Sequence, residues 1–195
     1  MAAGNRNRTL TEKIKLNLGS GHWKPEGWIH VDLDMESLPH VCVNLGASLP
    51  FRDGVADLMH TEDFIDQLEL ENARTFLLEC HRILKPGGVI RILTPDMERL
   101  ARLYLEDQDR LKYLWNEHVG VPLQLGTAGE IFNTGMRFAG HTFLYDAETF
   151  TRLASDCGFD ARQVSFQKSD IEDLRGLDLR SPENAVSMYF DCFRI

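Results

Sequence analysis

A chain of 195 residues is long enough to bury one sizeable core, and 43% hydrophobic with 26% charged residues is an ordinary balance for a globular protein. Its formal charge of −9 argues against a general affinity for nucleic-acid backbone, which needs clustered Lys and Arg, and fits a small-molecule or peptide substrate better. No run approaches the ~20 apolar residues of a membrane span, and residues 1–8 lack the apolar centre of a secretion signal. The expectation is a cytoplasmic protein with no membrane partner, residues 1–13 forming a flexible arm and 14–195 a single domain. Cys42, Cys80, Cys157 and Cys192 form no Cys-x-x-Cys pair and read as buried thiols. The His residues are dispersed, so no metal site is expected.

Residues 14–18 form a short apolar-leaning run, broken by Lys15 and Asn17, that suits a first, central strand. Pro25 and Gly27 punctuate the next piece as a turn. Asp32 stands only eleven positions after Gly21, which leaves little room for a crossover helix, so the first crossover is expected to be abbreviated. Residues 28–34 read as a second strand ending in an acid, 41–44 as a third and 55–60 as a fourth. Apolar residues at 70, 73, 76, 77, 80, 83 and 84 make the one-sided stripe of an amphipathic helix. Lys85-Pro86-Gly87-Gly88 stops it, with glycine available for a left-handed cap, and 89–93 follows as a buried fifth strand.

Thr94 and Pro95 suit the N-cap and first turn of another helix, in which Met97, Leu100, Ala101 and Tyr104 keep helical spacing. A further helical piece covers 111–115. Among glycines at 120, 126, 129, 135 and 140 the periodicity lapses, which predicts a lid or substrate loop over 120–140. Asp146 caps a last helix closed by Gly158, and alternating segments at 161–166 and 185–195 complete a strand pair. The sum is an α/β layered domain with a mostly parallel sheet.

In such sheets ligands bind beyond the carboxyl ends of the strands. The turn Gly19-Ser20-Gly21 lets backbone approach a ligand closely, and Asp32 at the end of the next strand is placed to accept from ribose hydroxyls. A dinucleotide fingerprint fails, because Lys24 stands where the third glycine belongs and Asp32 comes too early. A P-loop fails for want of a Gly-Lys-Ser/Thr.

The stretches Leu16-Asn17-Leu18-Gly19-Ser20-Gly21 and Gly27-Trp28-Ile29-His30-Val31-Asp32-Leu33-Asp34 resemble the cofactor motif of class I S-adenosylmethionine-dependent methyltransferases. Leu49-Pro50-Phe51-Arg52-Asp53-Gly54 is similar to their turn into the fourth strand. Leu78-Glu79-Cys80-His81-Arg82-Ile83-Leu84-Lys85-Pro86-Gly87-Gly88 resembles the helix-to-strand corner of the type 11 branch. Arg91-Ile92-Leu93-Thr94-Pro95-Asp96, Gly140-His141-Thr142-Phe143-Leu144-Tyr145-Asp146 and Cys157-Gly158-Phe159 are similar to a compact bacterial subgroup of it. The resemblance implies a Rossmann-like three-layer sandwich around a mostly parallel seven-stranded sheet with a C-terminal antiparallel strand pair. It also implies S-adenosylmethionine as cofactor and methyl transfer to an O or N acceptor on a small molecule, of sugar-derived or secondary-metabolite type.

By the same resemblance Gly19, Ser20 and Gly21 lie against the amino-acid part of the cofactor, with Asn17 in the place of the usual acid. Asp32 takes the ribose, Leu33 covers the adenine, Asn44 and Leu45 sit at its edge, and Thr61 and Glu62 stand near the fourth-strand end. Asn17 supplies no charge, and Asp66-Gln67-Leu68 replaces the frequent Glu-His-Leu. Those departures implicate weaker cofactor binding and leave a methyltransferase-like cofactor- or protein-binding module without turnover as the alternative. Methyl transfer needs alignment, exclusion of water and removal of a proton. The candidates for that proton are His141, Tyr145, Asp63 and His60, and His141 has a competing role in tying its loop to the core. His22 and Trp23 either overhang the cofactor or pack the shortened crossover.

Overall fold

The computed structural model describes residues 13–119 and 125–195. The expected N-terminal arm, apart from Lys13, and residues 120–124 of the expected loop lie outside the described residues. The strands are β1 (Lys15–Leu18), β2 (Ile29–Asp32), β3 (Val41–Cys42), β4 (Ala56–Glu62), β5 (Leu84–Pro95), β6 (Phe159–Val164) and β7 (Ser187–Arg194). They form one sheet in the order β3-β2-β1-β4-β5-β7-β6. β7 runs antiparallel to both of its neighbours, and the other pairs are parallel.

The first crossover is as short as the Pro25–Gly27 punctuation predicts, with turns and no helix between β1 and β2. The apolar stripe of α1 (Leu70–Ile83) is buried at Ala73, Phe76, Leu77, Cys80 and Ile83. It packs with α5 (Ala147–Asp156) on one face of the sheet, where Leu16, Leu18, Val31, Met59, Ile90 and Phe190 complete the main core. Asp146 accepts from the Thr149 amide and caps α5, as its position suggests. The opposite face is covered by the 165–186 connection between β6 and β7, which lays Leu174 and Leu177 on Trp28, Leu58 and Val89.

The strand pairing aligns one row of polar residues on that second face: His30, Asn17, His60, Arg91, Asp191 and Arg162. Side chains alternate across a strand, so Met59 and Ile90 enter the main core while His60 and Arg91 face the connection. Fully buried Arg91 bonds Asp178 at 2.5 and 3.0 Å, Asp191 at 3.0 Å and the Lys168 carbonyl at 2.9 Å. A buried guanidinium is tolerated only with its charge and donors matched in this way. The triad pins the connection to the sheet.

Several expectations are corrected. α1 ends on Leu84 in extended geometry and not on a glycine cap, while Gly88 is demanded by close packing, since a Cβ there would lie 2.9 Å from the Lys85 carbonyl. β5 pairs with β7 as far as Pro95, so Thr94 is a strand residue, and Asp96 caps α2 (Met97–Glu106) through the Arg99 amide. α3 (Gln108–Leu114) continues into a π turn, Trp115–Val119. The 120–140 region contains α4 (Ala128–Gly135), opened by a Thr127–Glu130 capping box. Cys42 is exposed, whereas Cys80, Cys157 and Cys192 are buried free thiols. Among the described residues no helix is long and apolar enough to cross a membrane.

Candidate active site

Beyond the end of β1 the backbone turns through Gly19 at φ 64° and Gly21 at φ 47°. A Cβ on Gly19 would lie 3.2 Å from Phe64 side-chain atoms, whereas Gly21 faces open space. The loop spends its own amides internally. Gly19 and Ser20 N–H donate to the Val31 carbonyl at 2.9 and 3.2 Å, and Gly21 N–H donates to Asp32 Oδ2 at 2.7 Å. Asn17 is equally committed: its Nδ2 donates to the Trp23 carbonyl, and its Oδ1 meets His60 Nδ1 at 3.0 Å. An aspartate could not make the first bond, which accounts for the amide here.

That arrangement fixes His60. Its Nδ1 carries the proton given to Asn17, so Nε2 is a bare lone pair, buried and without a partner among the described residues. Burial lowers its pKa to about 4 and keeps it neutral. On the same side of β4, burial raises Glu62 to about 7, against the amides of Leu179 and Arg180 that donate to its carboxylate. The glycine loop, Asn17, His22, Trp23, His60, Glu62, Asp63, Leu179 and Arg180 enclose a cavity of about 300 Å³. With the Gly19, Ser20 and Gly21 amides spent, the lining brings together the carboxyl groups of Glu62 and Asp63 and the guanidinium of Arg180. These walls offer a ligand both hydrogen-bond acceptors and a cationic donor.

Of the residues expected at the cofactor, Asn17, Gly19, Ser20, Gly21 and Glu62 line this cavity, while Asp32, Leu33, Asn44, Leu45 and Thr61 do not. Asp32 stands at the rim, and besides Gly21 its carboxylate holds the Asp34 amide at 2.9 Å. Leu33 beside it is 63% exposed. Asn44 Oδ1 is taken by the Gly46 amide. Leu45 is corrected to a core side chain, and Thr61, one position out of phase with His60 and Glu62, is wholly buried with an unpartnered hydroxyl. Leu179 and Arg180 had no sequence signal, because the long β6–β7 connection delivers them from 117 positions away.

A second cavity of about 330 Å³ adjoins the first and shares Asp63 and Arg180 with it. Its walls come from α2, α3, α4 and the start of β7, with Leu100, Leu111, Trp115, Ile131, Phe138 and Leu144 prominent. Asp63 sits at the junction in the left-handed region, φ 50°, held by its N–H on the Leu93 carbonyl and by Gln67 Nε2 on its own carbonyl at 2.7 Å. Its Oδ2 accepts from Arg180 Nε at 2.9 Å. A non-glycine residue at positive φ costs energy and persists where its surroundings impose it.

The other proton-transfer candidates are placed differently. Tyr145 is completely buried between Phe143 and Phe150, with its hydroxyl pushed up by burial, and is corrected to a core residue. His141 lines the second cavity, yet its Nδ1 donates to the Gly135 carbonyl at 2.9 Å and its Nε2 lies 3.3 Å from buried Asp66. Burial raises the Asp66 pKa. His141 is thereby a tie between the 135–141 turn and the short helical turn Ile65–Gln67 that follows β4. Of the four candidates, Asp63 alone borders both cavities.

Residues 28–92 match the type 11 family model described as a methyltransferase domain. The sequence gives no match among curated proteins. Among solved structures the fold is similar to a Methanosarcina mazei S-adenosylmethionine-dependent methyltransferase, with TM-score 0.56 and 15% identity over 95% of this chain and 94% of that one. It is similar to an O-methyltransferase family protein from Burkholderia thailandensis, with TM-score 0.55 and 15% identity over 93% of this chain and 51% of that one. A Haemonchus contortus phosphoethanolamine N-methyltransferase, solved with phosphomonomethylethanolamine and S-adenosylhomocysteine, gives TM-score 0.57 and 14% identity over 94% of this chain and 49% of that one. The chain thus spans about half the length of the last two.

Proposed function

We propose that this chain is a class I S-adenosylmethionine-dependent methyltransferase, a reading supported by the family-model match over residues 28–92 and by the fold, and that it methylates an oxygen or nitrogen of a small molecule held in the second cavity. The observation that carries the reading is the junction: the polar cavity beside the glycine loop and an apolar one meet at Asp63 and Arg180. When bound, S-adenosylmethionine supplies a methyl group whose bond to a positively charged sulfur breaks with the electron pair left on sulfur.

The chain's own residues then have distinct tasks. Glu62 and the glycine loop receive the amino-acid end of the cofactor, with neutral, buried His60 beside Glu62. Asp32 takes the ribose hydroxyls with the lone pairs it does not spend on Gly21 and Asp34, and exposed Leu33 covers the adenine. Asn17 acts through His60 and the Trp23 turn and touches no ligand. Asp63 takes the proton that the acceptor's hydroxyl or amine gives up, and Arg180 orients its carboxylate. Leu179 and Arg180 close the cavity against water, so the two reactants meet in a fixed geometry.

The test is turnover. Incubation with methyl-labelled S-adenosylmethionine and a panel of hydroxyl and amine acceptors is expected to yield a labelled product with at least one of them. Label transfer to no acceptor, with the cofactor demonstrably bound, would contradict the reading.

A further inference from the structure

The second cavity says what kind of acceptor it takes. A sugar carries hydroxyls all round its ring, and each one buried without a partner is costly. The cavity offers the opposite lining: Leu100, Leu111, Leu114, Ile131, Leu144 and Val186 form most of the wall, with the rings of Trp115 and Phe138 packed edge to face at 5.5 Å. Most polar side chains in the wall are already spent on protein partners. Asp96 accepts from the Arg99 amide and Asn184 Oδ1 from the Ser181 amide. Gln67 donates to the Asp63 carbonyl, and His141 is bonded as described. At the junction of the two cavities Asp63 Oδ2 accepts from Arg180 Nε, which leaves Oδ1 to meet one polar edge of a ligand, and the buried Trp115 Nε1 has no protein partner among the described residues.

We propose that this cavity takes an apolar, ring-bearing acceptor with one nucleophilic oxygen or nitrogen, of the phenol or arylamine class, and rejects sugars. The assignment rests on the methyl-transfer reading above and narrows it. A phenol or arylamine enters neutral, buries its ring and presents a single polar edge to Asp63.

A built-in probe exists at Gly135. Its φ is not positive, and a Cβ there would meet Leu100 Cδ2 at 3.8 Å and Trp115 Cζ3 at 4.0 Å, ordinary contacts at the cavity wall. Gly135→Leu therefore fills the cavity while improving local helix propensity at the end of α4. Leu100→Phe fills it from the other side and controls for changes in α4. The experiment is titration calorimetry of the parent and both variants with naphthol, methyl glucoside and S-adenosylhomocysteine. Naphthol is expected to bind the parent at least tenfold more tightly than methyl glucoside, and at least tenfold more weakly to either variant. S-Adenosylhomocysteine affinity is expected to stay within threefold across all three proteins, which also reports that they are folded. Methyl glucoside binding as well as naphthol, no naphthol binding, or undiminished naphthol affinity in both folded variants would overturn the proposal. Absence of S-adenosylhomocysteine binding to the parent would overturn the methyltransferase reading itself, and the acceptor assignment with it.

Discussion

The two cavities touch at Asp63 and Arg180, yet they are built from opposite materials. The glycine-loop cavity takes most of its wall from the ends of β1 and β4, and each polar group there has its direction set by a neighbour. Asn17 fixes the His60 tautomer, Asp32 holds Gly21, and the amides of Leu179 and Arg180 hold Glu62. The apolar cavity is assembled from helices α2, α3 and α4, which pack on one another as a separate cluster at the end of the sheet. A site whose ligand is the same in every turnover benefits from rigid, bonded polar groups. A site whose ligand sets specificity is built from shape, and shape changes with a few side chains. On the proposed reading, chemistry belongs to the junction and selectivity to the helices.

The largest effect is expected at the junction. Asp63→Asn should lower the turnover number by about 10²–10⁴-fold, the usual worth of a positioned proton acceptor, while S-adenosylhomocysteine affinity changes only a few-fold. Steady-state rates and calorimetry together check this, and a parallel loss of both would make Asp63 a binding residue. Next, Arg91→Met breaks the pin under the connection that roofs the polar cavity. It leaves Asp178 and Asp191 buried without their charge partner, which should cost about 3–5 kcal/mol in urea unfolding. S-Adenosylhomocysteine binding should weaken more than naphthol binding, because Leu179 and Arg180 depend on that pin.

A smaller loss is expected from His141→Ala, which removes the imidazole from beside Asp66 and leaves the Gly135 carbonyl without its donor, and should cost about 1–3 kcal/mol. If His141 were instead the proton acceptor, turnover would collapse with little change in stability. The smallest effect concerns Glu62, whose pKa burial raises to about 7. A carboxyl with a raised folded-state value binds its proton more tightly when folded, so its stabilising share is complete at acid pH and is lost as pH rises towards and through about 7. Relative to Glu62→Gln, the wild type should therefore lose stability between the ordinary carboxylate range and about pH 7. Thermal unfolding of the pair across that range reads it, and parallel curves would show that Glu62 titrates normally.

What the sequence made legible was local. The Gly19–Gly21 turn, the truncated crossover, the α1 stripe and the Asp146 cap each depend on residues within one turn or one strand. Thr94-Pro95-Asp96 misled because two good N-caps stand two positions apart, and only the pairing of β5 with β7 selects Asp96. α4 was hidden by its glycines, although Thr127 and Glu130 carried a capping box. Thr61 was misplaced by strand phase, since a shift of one residue exchanges the cavity for the core. Arg180 and the Arg91–Asp178–Asp191 triad were out of reach, because they pair positions some 80 to 120 residues apart by a route that only the folded sheet defines.

The account stands or falls on what binds beside the glycine loop. Titration calorimetry with S-adenosylhomocysteine should show one saturable site in the wild type, weakened at least tenfold by Asp32→Ala through loss of the ribose contact and of the Gly21 tether. No heat at millimolar ligand, or an Asp32→Ala variant that binds as tightly as the parent, would contradict it.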